Sequence, residues 1–142
     1  MNTIECKGSC LCGAVRVSAA VQSRHLGACH CTMCQKWGGG PLMTIESMAV
    51  HFEGEENITV YNSSAWAERG FCAKCGSHLF YRLKNGPRYF LPLGIVNDGK
   101  EWSFDHQIFI DEKPASYAFA NQTKTMTGAE VFAQFAPEGE SS

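Results

Sequence analysis

Hydrophobic and polar residues alternate along much of this chain, in runs too short to be helices. Residues 15–19 have the sequence Val-Arg-Val-Ser-Ala, an alternation typical of a half-exposed strand. Further β-prone runs lie at positions 42–45, 49–52, 58–61, 79–83, 89–93 and 107–110. Helical amphipathicity does not extend over any segment longer than about ten residues. The pattern therefore predicts a mainly β fold made of many short strands.

The clearest pairing signal is a turn between two of these runs. Asn85-Gly86-Pro87 lies between 79–83 and 89–93, and an Asn-Gly pair favours a tight hairpin turn. Pro92 has no N–H to donate to a strand ladder, so it predicts that the second strand lies at a sheet edge or at a bulge. Residues 123–137 favour no element.

Length and composition indicate one globular domain. The chain has 142 residues, of which 44% are hydrophobic and 18% are charged, and this suits a single ordered core. We see no internal repeat and no linker. The sequence therefore predicts one domain over residues 1–137, followed by a flexible tail over 138–142.

The charge balance excludes several classes of partner. Twelve basic and fourteen acidic residues give a net charge of −2, without the clustered Lys and Arg that bind nucleic acid. No apolar run approaches the roughly 20 residues that cross a membrane. The first five residues also lack the basic and apolar regions of a secretory signal. We therefore expect a cytoplasmic protein with neither nucleic acid nor membrane as a partner.

Eight cysteines are the informative excess in this composition. A disulfide framework is disfavoured in a reducing compartment. Seven of the cysteines form tight groups, which are Cys10-x-Cys12, Cys29-His-Cys31-x-x-Cys34 and Cys72-x-x-Cys75. Cys6 stands apart, and we interpret it as a small apolar residue on a strand. Groups this tight suit thiolates that converge on one metal ion.

The two doublets together predict a closed metal site. In Cys72-x-x-Cys75 the two sulfurs turn to one side, and Gly76 lets the backbone double back. Cys10 and Cys12 share one face of an extended chain. Four thiolates complete the coordination of a structural zinc ion. A redox-active dithiol at the second doublet and an iron–sulfur cluster are the alternatives.

The triplet predicts a different, open site. Cys29, Cys31 and Cys34 supply three sulfurs within six residues, and a zinc ion with three protein ligands keeps one position for a reactant. His30 points away from the face that Cys29 and Cys31 share, which favours a hydrogen-bonding or packing role. Cys6 is the alternative fourth ligand and would close the site.

The ligand set of this open site favours one kind of chemistry. Three thiolates make zinc a weak acid towards water, so hydrolysis is disfavoured and a soft ligand is favoured. An external thiol that binds there loses its proton near neutral pH, whereas a free thiol has a pKa of about 8.5. A small aldehyde held beside that thiolate would undergo addition, and the reverse reaction would cleave a carbon–sulfur bond.

The cysteine motifs resemble the family of glutathione-dependent formaldehyde-activating enzymes, which shares its domain with centromere protein V. The resemblance runs from Gly8-Ser-Cys-Leu-Cys-Gly-Ala-Val15 through the 29–36 segment to Arg69-Gly-Phe-Cys-x-x-Cys-Gly-Ser77, and it continues weakly at Gly94 and over 106–117. It implies a Mss4-like fold of splayed antiparallel sheets around zinc. It also implies two zinc ions per chain, one structural on Cys10, Cys12, Cys72 and Cys75 and one catalytic on Cys29, Cys31 and Cys34. The implied activity is that of a carbon–sulfur lyase acting on a glutathione-like thiol and formaldehyde.

Two basic residues lie close to the cysteine motifs. Arg69 and Lys36 are candidates to bind the carboxylates of a thiol substrate, and Arg69 directly precedes a metal loop. The alternative to an enzyme is a non-catalytic Mss4-like module that binds a protein partner or delivers zinc. In that case Cys6 would occupy the fourth position, and Cys6→Ala would release the second metal.

Overall fold

A computed structural model describes residues 3–96, 99 and 101–135 of the chain. These residues form eleven strands, which are β1 (Ile4–Ser9), β2 (Arg16–Val21), β3 (His25–Cys29), β4 (Leu42–Ser47), β5 (Ala49–Glu53), β6 (Ile58–Tyr61), β7 (Ala67–Cys72), β8 (His78–Leu83), β9 (Tyr89–Pro92), β10 (Ser103–Ile108) and β11 (Lys124–Met126). They also form three α-helices, which are α1 (Thr32–Gly38), α2 (Leu93–Val96) and α3 (Gly128–Phe135). The predicted mainly β fold class is therefore confirmed.

The described residues fall into two compact units. One lies within Met1–Arg24 and Thr44–Glu101, and the other within His25–Met43 and Trp102–Ser142. A single domain over 1–137 stays a prediction, and the predicted tail at 138–142 lies outside the described residues. Within the described part of the chain, none of the helices has both the length and the apolar character needed to span a bilayer.

The first unit contains two antiparallel ladders. One has the strand order β1-β2-β5, and the other runs β4-β9-β8-β7-β6. In β2, Val17, Ala19 and Val21 are buried, while the residues between them are more exposed. The predicted alternation therefore determines which face of β2 is buried, because successive side chains of a strand point to opposite faces.

The predicted hairpin is confirmed, but its proline lies in a different kind of strand from the one expected. Strands β8 and β9 pair antiparallel, with Tyr81 opposite Phe90 and Arg82 opposite Tyr89. The expected edge position or bulge at Pro92 is wrong, since β9 lies between β8 and β4. Pro92 is tolerated because it is the last residue of its strand, beyond its described pairs with β8, and α2 follows at once.

The second unit is built differently, on parallel strands. Its strand order is β11-β10-β3, and both pairs are parallel, which departs from the antiparallel sheets expected from the resemblance. Strand β10 ends at Ile108, short of the predicted 110, because Phe109 adopts a left-handed backbone with φ of 55°. The Phe109 ring is buried against Gly128 and packs edge-on against Phe132. This packing holds an unfavourable backbone conformation directly after the strand.

One carboxylate in this unit joins two histidines. Asp105 lies at an irregularity in the β10–β3 ladder, between Phe104 and His106. Its carboxylate accepts a hydrogen bond from His106 Nδ1 at 2.6 Å, and its other oxygen lies 2.8 Å from His25 Nδ1. Partial burial opposes ionisation, but the hydrogen bond from His106 and the charges of both histidines lower the pKa of Asp105.

As the pH becomes acidic, we expect the Tm of Asp105→Asn to fall less than the Tm of wild type. Because the folded-state pKa of Asp105 is lowered from its ordinary value of 3.8, its carboxylate contributes stability that is fully present above that value. That contribution disappears as the pH falls through the lowered value. The variant should therefore have a lower Tm than wild type at pH 6, and the gap should close as the pH falls below the lowered pKa of Asp105. Thermal unfolding across this range tests the prediction, with exposed Glu101→Gln as the control carboxylate, and a gap that stays constant would contradict it.

Candidate metal centres

Four cysteine sulfurs converge in the first unit. Cys10 and Cys12 lie in the turn between β1 and β2, Cys72 ends β7, and Cys75 lies in the turn before β8. Their four Sγ atoms lie within 4.8 Å of one another, and we call this group the four-cysteine site. The structure thus brings together two pairs that are 60 residues apart in sequence.

The spacing of these sulfurs fits a tetrahedral ion. The Cys10 and Cys12 sulfurs are 3.7 Å apart, and those of Cys12 and Cys72 are 3.8 Å apart. A tetrahedron with metal–sulfur bonds of about 2.3 Å has edges of about 3.8 Å. The donor set and these two sulfur–sulfur distances therefore suit zinc.

Local hydrogen bonds prepare these sulfurs for a cation. The Val15 N–H donates to the Cys10 sulfur at 3.3 Å. The Ser77 hydroxyl accepts from the Leu11 N–H at 2.9 Å and lies 3.2 Å from the Cys75 sulfur, so it links the two loops of the site. Hydrogen bonds from the Ser77 side chain and backbone lower the pKa of Cys75 to about 5. Such donors favour thiolate over thiol before any ion is considered.

The turn at the second pair of ligands depends on a glycine. Gly76 has a φ of 79°, in the left-handed region that side chains disfavour, and its N–H donates to the Cys72 carbonyl at 2.8 Å. This tight turn brings Cys75 back beside Cys72. The sequence-based expectation for Gly76 is confirmed.

A second group of three sulfurs lies in the other unit. Cys29 ends β3, Cys31 caps the N-terminus of α1, and Cys34 lies in the first turn of that helix. Their Sγ atoms also lie within 4.8 Å of one another, and we call this group the three-cysteine site. Among the described residues, the group contains no fourth cysteine, histidine or carboxylate.

Helix α1 explains how three sulfurs meet within six residues. Cys31 has an extended backbone, with φ of −62° and ψ of 154°, and its sulfur accepts the Cys34 N–H at 3.3 Å. A cap residue that bonds the N–H three positions later brings both side chains to the same end of the helix. Gly39 ends the helix in a left-handed conformation after only two turns.

The thiols of this group disfavour joint ionisation unless a cation is present. Hydrogen bonding with Cys31 and Cys34, together with burial and their charges, raises the pKa of the Cys29 thiol. A divalent ion would remove this penalty, because it favours the charged form of every ligand at once. The three-cysteine site is therefore chemically suited to zinc.

His30 lies between two of these cysteines but outside their cluster. Its side chain is fully buried, with Nε2 2.7 Å from Gln107 Oε1 and Nδ1 3.1 Å from the Tyr117 hydroxyl. The predicted hydrogen-bonding role is confirmed. The roles of Gln107 and Tyr117 are not predictable from the sequence, since neither residue lies in a recognisable motif or at a ligand spacing.

The remaining candidates lie outside both clusters. Cys6 is buried on β1 opposite Ala19 and belongs to neither group of sulfurs. Arg69 is only 3% exposed on β7, and its guanidinium lies 4.9 Å above the Tyr81 ring. Lys36 is exposed in the last turn of α1. Contacts of Arg69 and Lys36 with a substrate carboxylate stay predictions.

Comparisons with known proteins find a matching family model and similar named relatives. A sequence model described as glutathione-dependent formaldehyde-activating enzyme matches residues 5–112. The chain is 37% identical over 129 residues to an uncharacterized lyase of Schizosaccharomyces pombe, covering 89% of this chain and 94% of that protein. It is 34% identical over 106 residues to a candidate glutathione-dependent formaldehyde-activating enzyme of Halomonas elongata, covering 65% of each.

A solved structure shares the fold. The crystal structure of a structural genomics target from Rhodobacter sphaeroides matches with a TM-score of 0.56 and 24% sequence identity. The match covers 69% of this chain and 98% of that one.

Proposed function

Because this chain belongs to the family of glutathione-dependent formaldehyde-activating enzymes, we propose that it is a zinc-dependent carbon–sulfur lyase. The proposed reaction joins a glutathione-like thiol to formaldehyde or a similar small aldehyde, and also runs in reverse. The observation that carries the proposal is the three-cysteine site, where three sulfurs lie within 4.8 Å of one another without a fourth donor among the described residues. A relative named as a lyase supports the enzyme class.

The two metal centres have different proposed roles. The four-cysteine site would hold a structural zinc ion, because four thiolates leave no position for a reactant. The three-cysteine site would hold a catalytic one, giving two zinc ions per chain. A zinc ion bound by three thiolates supplies a position for an external thiol and lowers the pKa of that thiol.

The residues of the chain supply the frame for this reaction. Cys29 and Cys31 are fixed on either side of a buried His30, and Cys34 is fixed by the first turn of α1. In the reaction the thiol sulfur forms a bond to the carbonyl carbon, the carbon–oxygen π bond breaks, and the thiol proton ends on the new hydroxyl. Cysteine ligands that are already in position would contribute to the rate, because the ion that they hold would fix the thiol in place before the aldehyde arrives.

The test is acceleration of a reaction that also proceeds without a catalyst. Magnetisation exchange between hydrated ¹³C-formaldehyde and its glutathione adduct should become faster in proportion to protein concentration. Stripping zinc with a chelator should abolish the acceleration, and adding zinc back should restore it. Substituting 2-mercaptoethanol for glutathione asks whether the peptide part of the thiol is recognised.

Each outcome has a distinct meaning. Zinc-dependent acceleration would support the lyase, and its restriction to glutathione would support the finer substrate assignment. No acceleration by protein that carries two zinc ions would overturn the enzyme in favour of a non-catalytic zinc module. Acceleration that survives removal of all zinc would overturn the metal-dependent mechanism.

A further inference from the structure

The peptide between two of the three clustered cysteines is fixed at all of its polar atoms. The His30 N–H donates to the Ile108 carbonyl at 3.1 Å, and the His30 carbonyl accepts from Gln35 Nε2 at 2.7 Å. Both ring nitrogens also have partners, in Gln107 and Tyr117. A residue with no exposed surface and four such contacts has little freedom to move.

The hydrogen bonds of the side chain run in one direction. Gln107 Nε2 donates to the Thr123 hydroxyl at 2.9 Å, so its Oε1 faces His30 as an acceptor. His30 Nε2 therefore donates to Gln107 Oε1, and Nδ1 lies within hydrogen-bond distance of the Tyr117 hydroxyl. These two contacts fix the orientation of the imidazole ring at both nitrogens.

We call the hydrogen-bonded chain of Tyr117, His30 and Gln107 the relay. Tyr117 is itself held in place by its neighbours, so this end of the relay is fixed. Lys113 Nζ donates to the carbonyl oxygens of Pro114 and Tyr117 and lies 4.7 Å from the centre of the Tyr117 ring. The Phe119 ring packs beside both Tyr117 and His30, at centroid distances of 5.9 and 6.1 Å. The contacts of His30 thus come from β10, from α1 and from the segment after residue 112.

We propose that His30 is a positioning residue whose hydrogen bonds to Tyr117 and Gln107 fix the spacing of the Cys29 and Cys31 sulfurs. Through that spacing, His30 sets how fast the three-cysteine site exchanges zinc. The inference rests on the proposed function in one respect, since it takes zinc to be the ion held there. Rotating the backbone at residue 30 would move the two flanking cysteines relative to each other, because their side chains lie on the same face of the chain, one before and one after this residue.

A purely structural role would have a different signature. If His30 only stabilised the core, its variants would lower Tm. Their rate of zinc release would then change no more than that of another variant with the same loss of stability. Val131→Ala supplies that comparison, because Val131 is buried in α3 of the same unit and its apolar side chain takes no part in the hydrogen bonds of His30. Removing a buried methyl pair lowers stability through the cavity alone.

The variants remove the relay one contact at a time. Tyr117→Phe deletes only the hydroxyl that is hydrogen-bonded to Nδ1, on a side chain that is partly exposed, so the fold should survive. His30→Asn keeps a polar atom near the position of Nδ1 but loses the contact with Gln107. His30→Ala loses both contacts and is compared with the asparagine variant as a test of rescue.

The measurement is zinc transfer to a chromophoric chelator under native conditions. Wild-type protein should release its two ions in a fast and a slow phase, and Cys31→Ser should identify the fast phase as the three-cysteine site. Tyr117→Phe should speed the fast phase by about 10-fold, the lower end of the effect usually seen when a supporting hydrogen bond near a metal is lost. His30→Asn should lie between Tyr117→Phe and His30→Ala, and the slow phase should not change.

Cobalt substitution gives a second readout that does not depend on activity. The visible bands of cobalt at the three-cysteine site should shift in Tyr117→Phe and not in Val131→Ala. An unchanged fast phase and unchanged bands in Tyr117→Phe would overturn the positioning role and leave the lyase proposal standing. Faster zinc release in Tyr117→Phe, from a protein that has no lyase activity, would support the positioning role and overturn the lyase proposal. A chain that binds a single zinc ion would overturn both.

Discussion

Cys72→Ser is expected to abolish cooperative folding of the unit that contains the four-cysteine site. Cys72 is fully buried at the end of β7, and its sulfur lies 3.8 Å from that of Cys12 across 60 residues of sequence. Structural zinc contributes on the order of 10 kcal/mol of apparent binding free energy to folding, whereas a whole domain is stable by only about 5–15 kcal/mol. Losing even part of that contribution removes most of the stability.

The measurements are zinc per chain and thermal unfolding. For a chain of this size about 1 kcal/mol corresponds to roughly 3 °C of Tm, so Cys72→Ser should lose more than about 15 °C or its transition altogether. Zinc content should fall from two ions to one. Cys6→Ala is the matched control, because Cys6 is also a buried cysteine of the same unit but lies outside both clusters. It should keep both ions and lose about 1 kcal/mol. Unchanged zinc content and Tm in Cys72→Ser would rule out a structural metal there.

The strands were predictable where one face is buried and the other is not. In β2 the alternation of side chains reflects burial directly, so the sequence pattern and the structure agree. The short helix α1 escaped prediction because it has only seven residues and is capped by a sulfur, which is not among the usual capping groups. The parallel pairing of β10 with β3 and β11 left no local signal, since register between distant segments depends on tertiary packing.

The metal clusters were predictable for a different reason. Ligand spacing is a local property, so Cys29, Cys31 and Cys34 could be grouped from six residues of sequence. The contacts that fix His30 are not local, because Gln107 and Tyr117 lie 77 and 87 residues away. Spacing therefore identifies the ligands of a site but not the residues that hold those ligands in place.

Cys31→Ser is expected to abolish thiol-dependent turnover while leaving the fold intact. The Cys31 sulfur caps α1 by accepting the Cys34 N–H at 3.3 Å, and a serine hydroxyl at the same position can accept that hydrogen bond. The substitution thus removes a soft metal ligand and keeps the start of the helix. We expect the acceleration of the glutathione–formaldehyde exchange to fall by at least about 100-fold. Removing a residue that only supports a metal ligand already costs up to about 100-fold, and loss of the ligand itself should cost no less.

Cys31→Ala separates the ligand role of this residue from its role as a helix cap. Alanine removes the sulfur and also the acceptor, so it should lose as much activity as serine and a further 1 kcal/mol or so of stability. Circular dichroism gives the stability difference, and zinc analysis should find the four-cysteine ion retained in both variants. Full activity in Cys31→Ser would refute catalysis at the three-cysteine site. Equal loss of activity in both variants, with stability lost only in alanine, would assign the activity to the sulfur itself, because the cap is the single feature in which the two variants differ.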